Sequence, residues 1–309
     1  MITNIPSSQD LTRSALTSFF AAWHSLIQLF HDFNRTYDLD DPQWAEELQD
    51  YYEHCQAELE TIYALAAQAS ELALKARICD VSPYLLLLGN GTSFGEATGD
   101  TDFSELRTID AVDLPNAVNA ICSEKLSDSF KQRFTEVRKL RNKIAHLGAA
   151  GKTSDPRDIL KLLIEQYCEL WPKSKFLKLW IEYIGSRRYS YFHDGKWCSA
   201  EMEFSEVYET CFSLLSKRQF EKLVGFKKSQ RRYICYKCIY SGGLNRHDMY
   251  SDLLTAYLTQ ENVLTCQLCD ECSDVDRKAC SQDGCKGNVI SIDEPFSDHC
   301  HTCGQEQDE

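Results

Sequence analysis

The sequence predicts a mainly α protein: a helical bundle followed by a small α+β module stapled through cysteines. Long segments between residues 9 and 184 carry apolar side chains at helical spacing, with capping residues at their starts. Nine of the 15 cysteines crowd between Cys235 and Cys303, mostly as CxxC-type pairs. With 309 residues and 43% hydrophobic side chains, the chain is long enough to bury two cores.

Ser7-Ser8-Gln9-Asp10 offers capping side chains before Leu16, Phe19, Phe20, Trp23, Leu26, Ile27 and Phe30, so a first helix is expected over residues 9–36. Asp41-Pro42 reads as an N-cap followed by proline at the first helical position, and the Ala-, Leu- and Glu-rich run from Gln43 predicts one long helix to Arg77. His24, His31 and His54 lie on these helices and read as ordinary helical residues. Ser82-Pro83 interrupts the pattern, and Gly89, Gly91, Gly95 and Gly99 mark a long loop to residue 106. Gly89-Asn90-Gly91 lacks the further glycine, lysine and strand context of a phosphate-binding loop.

Helices are expected over residues 113–123 and 127–147, the second stopped by Gly148. Asp155-Pro156 starts another to Trp171, and residues 175–184 continue the bundle. Gly151-Lys152-Thr153 imitates the end of a Walker A loop, but the position of its first glycine is His146, inside a helix. Residues 186–200 turn aromatic and irregular (Arg187-Arg188-Tyr189-Ser190-Tyr191-Phe192-His193), which reads as a strand or linker packed between halves; stacking on exposed bases is the alternative. One helix over residues 205–223 leads into the basic strip Lys227-Lys228-Ser229-Gln230-Arg231-Arg232.

Cys235-x2-Cys238 and Cys266-x2-Cys269 form one set of ligand pairs, at a separation similar to that of zinc ribbons. Cys280-x4-Cys285 and Cys300-x2-Cys303 form a second. A CxxC knuckle supplies two of the four thiolates of a zinc tetrahedron, so two structural Zn2+ ions are expected and no catalytic metal. Cys272 overlaps the first set and leaves its membership open; His247, His299 and His301 rank below the thiols as ligands. The six other cysteines are scattered singly and read as small buried hydrophobes. No signal peptide is evident at the N-terminus, and no apolar run reaches the ~18 residues of a membrane span, so a cytoplasmic protein without membrane association is expected.

The net charge of -14 argues against a nucleic-acid enzyme until it is divided along the chain. Residues 1–110 hold 18 acidic and 5 basic side chains and residues 261–309 hold 12 and 3, whereas residues 111–260 hold 17 and 25. The acidic zinc module favours contact with a protein partner. Within the basic middle, Ser129 to Gly148 carries six Lys/Arg against one Glu and includes His146. An imidazole beside clustered guanidinium and ammonium groups suits proton transfer at an anionic phosphate.

Arg141-Asn142-Lys143-Ile144-Ala145-His146 resembles the Arg-x4-His motif of HEPN (higher eukaryotes and prokaryotes nucleotide-binding) domains, with Asn142 where that family prefers a polar residue. The resemblance spans roughly residues 8–185. It implies an all-helical bundle that dimerises and brings two motifs into one cleft. It also implies metal-independent endoribonuclease activity by 2′-hydroxyl transesterification, as in defence and toxin systems. Arg141, Asn142 and His146 would be catalytic, with Arg138, Lys139 and Lys143 as RNA contacts. Five residues of an ideal helix separate Arg141 from His146 by about 140°, so the two converge only where the helix frays before Gly148 or where a two-fold dimer supplies the facing set. HEPN toxins regulated through a tyrosine two residues after the histidine differ here, because that position is Gly148. The resulting organisation is a HEPN-like helical domain (1–185), a connecting segment with one helix (186–230) and a zinc-ribbon-like domain (231–309). The alternative is a HEPN-like adaptor without catalysis that binds nucleotide, RNA or protein and carries structural zinc.

Overall fold

The computed structural model describes residues 1–87, 99–147, 154–194, 198–243 and 253–307, and of Leu147 the backbone only. Gly89, Gly91, Gly95, Gly148, the segment Gly151-Lys152-Thr153 and His247 lie outside the described residues. The chain forms two compact units, Met1–Pro172 and Lys173–Glu309. The first is helical and the second joins helices to an antiparallel sheet, so the mainly α class with a C-terminal sheet module holds. Among the described residues, no helix is long and apolar enough to cross a membrane.

The first unit is organised around α1 (Ser8–Asn34) and α3 (Gln56–Val81), which pack along each other. Ser7 caps α1 by accepting from the Asp10 amide at 3.0 Å. All the apolar residues from Phe19 to Phe30 that set the helical period are buried. The opposing surface of α3 offers Ala66, Ala69, Ala73 and Ala76, small side chains that let large aromatics on α1 approach. α6 (Pro156–Leu170) closes this layer: the Phe19 ring lies 5.4 Å from both Tyr167 and Trp171. Polar ties fix the register of α3 against α6. Gln166 Nε2 donates to the Ala66 carbonyl at 2.6 Å, and Arg77 Nη2 donates to the Glu169 and Leu170 carbonyls.

The helix expected from Gln43 to Arg77 is broken. A 3-10 turn at Pro42–Trp44, capped by Asp41, leads into α2 (Ala45–His54), and α3 restarts at Gln56. No glycine or proline marks the break. It lets the Tyr52 ring meet Phe30 edge-on at 6.2 Å while the Tyr51 hydroxyl donates to the Leu29 carbonyl at 3.0 Å. β1 (Ile2–Thr3) pairs in parallel with β2 (Thr101–Asp102), which anchors the far end of the long loop. α4 (Leu114–Ile121) and α5 (Asp128–Leu147) complete the bundle.

α7 (Phe176–Ser186), assigned to the first domain by the sequence reading, falls in the second unit and packs on α8 (Ala200–Leu214) and α9 (Lys217–Val224). Trp180 meets Phe204 at 4.9 Å, and Phe204 stacks on Tyr208 at 5.0 Å. The single helix expected over residues 205–223 is two, because Ser216 and Gln219 form a capping box that starts α9 afresh. Arg188–Phe192 form a 3-10 turn rather than a strand. The sheet runs in the order β3 (Tyr233–Ile234), β4 (Leu254–Gln260), β5 (Val263–Cys266), β6 (Cys272–Asp276) and β7 (Ile290–Ser291), with every pair antiparallel. The short helix α10 (Tyr236–Ser241) follows β3 directly.

Three cations of the basic strip before the sheet, Lys228, Arg231 and Arg232, make internal contacts. Arg232 forms a fork on the Glu209 carboxylate at 2.7 and 3.2 Å and lies over the Phe212 ring at 3.7 Å. Lys228 donates to the Leu215 carbonyl, and Arg231 to the Lys286 carbonyl and Thr302 hydroxyl.

α5 is held by Phe130, Phe134 and Val137, which share one helical face and are 6–7% exposed. Phe134→Ala is expected to destabilise the first unit by about 3–5 kcal/mol, read as a lowered urea midpoint of the helical circular dichroism signal. A midpoint equal to that of the unaltered chain would show that this stripe does not hold the helix.

Candidate functional sites

The last three turns of α5 carry all six residues picked out for RNA chemistry. Arg138 and Asn142 are half-buried, and Lys139, Arg141, Lys143 and His146 are exposed. Helix geometry divides them. Arg141 lies four residues after Val137 and continues the inward stripe, with Arg138 and Asn142 beside it; Lys139, Lys143 and His146 lie on the opposite side. A groove of about 830 Å³ between α3 and α5 is accordingly lined by Arg138, Arg141 and Asn142 together with Gln68, Glu71 and Asp110, while His146, Lys139 and Lys143 are not on its wall. Arg141 Nη1 donates to Asn142 Oδ1 at 3.2 Å. Within one chain, therefore, the guanidinium and the imidazole of the motif do not meet.

The charges of α5 also fall into two groups. Near its start, Lys131 is paired with Asp128 at 2.6 Å, and Arg133 with Glu136 at 3.9 Å and Glu165 at 3.2 Å. Beyond Val137, none of Arg138, Lys139, Arg141, Lys143 and His146 is ion-paired to a described carboxylate. The two acids in the groove are engaged elsewhere, Glu71 with Lys75 at 2.8 Å and Asp110 with Arg107 at 3.0 Å. Among the described residues, positive charge is concentrated at the end of the helix without a carboxylate partner.

In the second unit the sheet and its turns assemble two groups of four cysteines, Cys235/Cys238/Cys266/Cys269 and Cys280/Cys285/Cys300/Cys303, with all sulfurs of each group within 4.8 Å of one another. Each can hold a metal ion. Cys235 Sγ lies 3.7 Å from Cys269 and Cys238 Sγ 3.7 Å from Cys266; the matching separations in the second group are 3.7 and 4.0 Å. Cys272 is exposed and lies outside both groups, with its sulfur 3.5 Å from the Thr265 hydroxyl, so Cys269 is the member of the first group at the overlap. Neither His299 nor His301 belongs to a group of four: His301 Nδ1 is 2.8 Å from the Ile234 carbonyl and His299 Nδ1 is 2.9 Å from that of Ser297.

Amides two residues after a cysteine point at its sulfur in three places: Leu268 N to Cys266 at 3.3 Å, Gly287 N to Cys285 at 3.3 Å and Thr302 N to Cys300 at 3.4 Å. Such donors favour thiolate, the form that binds a metal. Hydrogen bonds from Cys235, Cys238 and Cys269 hold the Cys266 thiol well below its ordinary range. Gly287 completes the second cradle, since a Cβ there would lie 2.6 Å from Cys300 Sγ and 3.1 Å from Cys285 Sγ.

A third group, His193, Cys198 and Glu203, escaped the sequence reading because its members are single residues without knuckle spacing. Its Glu203 already accepts from Arg187 at 3.1 Å and sits 2.9 Å from His193 Nε2. The guanidinium supplies the positive charge that a cation would bring, and the group ties α8 to the 3-10 turn before it. In that turn Tyr191 and Phe192 are exposed, and the neighbouring rings contact one another edge-on at 5.4 Å.

The chain matches no family model, no curated protein and no solved structure. Fold and site together define a two-unit protein, a helical bundle with a basic helix end and a sheet module with two four-thiol clusters.

Gly287→Ala is expected to lower the metal content by about one ion per chain, measured by elemental analysis, because the added methyl enters the second cradle and leaves the first intact. Unchanged content would mean that this cradle holds no metal.

Proposed function

We propose that the chain is a HEPN-like, metal-independent endoribonuclease whose second unit is held together by two structural Zn2+ ions. The observation that carries the reading is the run of basic groups on the last turns of α5 with no described carboxylate partner, in a protein of net charge -14. Cations left unpaired in an acidic chain suit a polyanion.

Because His146 and Arg141 lie on different sides of α5, the reaction is assigned to two chains that face each other across RNA. His146 of one chain takes the proton of a ribose 2′-hydroxyl, and the freed oxygen attacks the adjacent phosphorus. The P–O5′ bond breaks, and the leaving oxygen receives a proton from His146 of the second chain. Products are a 2′,3′-cyclic phosphate and a 5′-hydroxyl. Arg141, permanently charged and forked, binds the non-bridging phosphate oxygens more tightly as the pentacovalent centre gathers charge. Asn142 orients the Arg141 guanidinium, and Arg138, Lys139 and Lys143 hold the neighbouring phosphates. The cellular setting that fits the resemblance is a cytoplasmic defence or toxin effector.

In the second unit, Cys235, Cys238, Cys266 and Cys269 would hold one Zn2+ and Cys280, Cys285, Cys300 and Cys303 the other, and metal bound by four thiolates would contribute folding free energy rather than a site for substrate. Its acidic surface is assigned to a protein partner. A second reading, a HEPN-like adaptor that binds without cleaving, is favoured by the absence of His146 from the groove that Arg138, Arg141 and Asn142 line.

His146→Ala is expected to lower RNA cleavage by at least about a hundredfold while RNA affinity in a filter-binding assay stays within threefold. Cleavage at the original rate would exclude His146 as the proton carrier, and binding without cleavage by the unaltered chain would select the adaptor. Stripping the metal with a strong chelator is expected to unfold the second unit, seen as loss of its sheet signal in circular dichroism. An unchanged spectrum after complete removal would contradict a structural role.

A further inference from the structure

A concave site of about 290 Å³ opens on the second unit between α10 and the segment Ser291–Phe296. Its walls are aromatic. Tyr236 and Tyr240 lie four residues apart and so project from one side of α10. Tyr236 is buried, donates its hydroxyl to the Cys300 carbonyl at 2.7 Å, and stacks on Phe296 at 5.0 Å with the planes 17° apart. Tyr240 is 65% exposed and meets the same Phe296 edge-on at 5.8 Å.

Asp293 and Glu294 stand at the same site, with Ser273 and Ser291. Asp293 accepts the Asp274 amide at 3.1 Å through one oxygen, which fixes its carboxylate. The one cation on the wall, Lys237, lies near enough to Asp293 to feel its charge and spends its ammonium on Glu271 at 3.3 Å and the Cys272 carbonyl at 3.2 Å. Ring faces and free carboxylate oxygens both attract a positive charge, and together they select a cation over a neutral apolar group. The surroundings agree, because residues 261–309 hold 12 acidic and 3 basic side chains.

We propose that this site binds the lysine side chain of a basic protein segment. The volume admits one long side chain and falls short of a drug-sized ligand. An aliphatic stem would lie along Tyr240 and Phe296 while its ammonium reaches Asp293 and Glu294. Neighbouring basic residues of the same segment would meet the acidic surface around the site. Both walls are tied to cysteine clusters: α10 follows Cys235 and carries Cys238, and the Ser291–Phe296 segment leads into Cys300. The cage is therefore built by the two knuckles, independently of α5 and of any ribonuclease activity.

The test is fluorescence anisotropy of a labelled Arg-rich peptide with a single central lysine, titrated with the full metal-loaded chain. Four further titrations use the same peptide acetylated at that lysine, the same peptide with norleucine there, and the Tyr240→Ala and Tyr240→Phe chains with the original peptide. The site predicts saturable binding, weakened about tenfold by acetylation, by norleucine and by Tyr240→Ala, and retained by Tyr240→Phe. Metal content and circular dichroism check that the variants keep their fold, and the two modified peptides require no variant. Equal affinity for the acetylated peptide would mean attraction by overall charge alone and would overturn the assignment. Equal affinity for the norleucine peptide would give the site to an apolar side chain instead, and absence of saturable binding would leave it without this occupant; either result also overturns it.

Discussion

The apolar stripe Phe130, Phe134 and Val137 decides what the end of α5 offers to solvent. Once those three side chains are buried where α5 packs on α3 and α6, helix geometry assigns every later position an azimuth. Arg141 continues the stripe where the core ends and opens onto the groove; His146, Lys139 and Lys143 are turned to the other side. The same constraint separates neutralised from unneutralised charge. Lys131 and Arg133 lie within reach of Asp128, Glu136 and Glu165, while the cations beyond Val137 meet no described carboxylate. Proposed catalysis by two facing chains follows from this division and from nothing else in the bundle.

In the second unit the sulfurs perform the corresponding service. β3 and β7 have two residues each, too little strand to hold a sheet by pairing alone. The cysteine groups gather turns from residues 235–303 around two points, and backbone amides are aimed at the sulfurs of Cys266, Cys285 and Cys300. The helices before the sheet add the core that such a module lacks, with Trp180, Phe204 and Tyr208 in contact and Arg232 forked onto Glu209. Basic residues near the cysteines are thereby committed to structure, and the exposed surface of the module is left acidic.

Much of this was legible in the sequence where a local signal existed. Ser7, Asp41 and Asp155 each cap the element they precede, and the eight cysteines chosen by knuckle spacing are the eight that cluster. The break at Cys55 was not legible: Tyr51 and Tyr52 find their partners on α1, and no glycine or proline announces it. The start of α9 was legible but missed, since Ser216 and Gln219 stand at capping-box spacing inside a run that otherwise reads as one helix. The choice between Cys269 and Cys272 depended on a turn whose direction spacing does not encode. His193, Cys198 and Glu203 meet only because the chain folds back before α8, and the aromatic site beside α10 joins residues more than fifty positions apart.

The two units therefore differ in what holds them and in the charge they present, one with an exposed basic helix end and the other with an acidic surface over thiol clusters. The proposal that α5 cleaves RNA by 2′-hydroxyl attack is tested most directly by the chemistry of the ends it leaves. End-labelled RNA incubated with the purified, metal-loaded chain in buffer without added Mg2+, with circular dichroism recorded alongside to verify the fold, should yield fragments ending in 2′,3′-cyclic phosphate and beginning with 5′-hydroxyl. Fragments with 3′-hydroxyl ends, or intact RNA in the presence of folded protein, would contradict it.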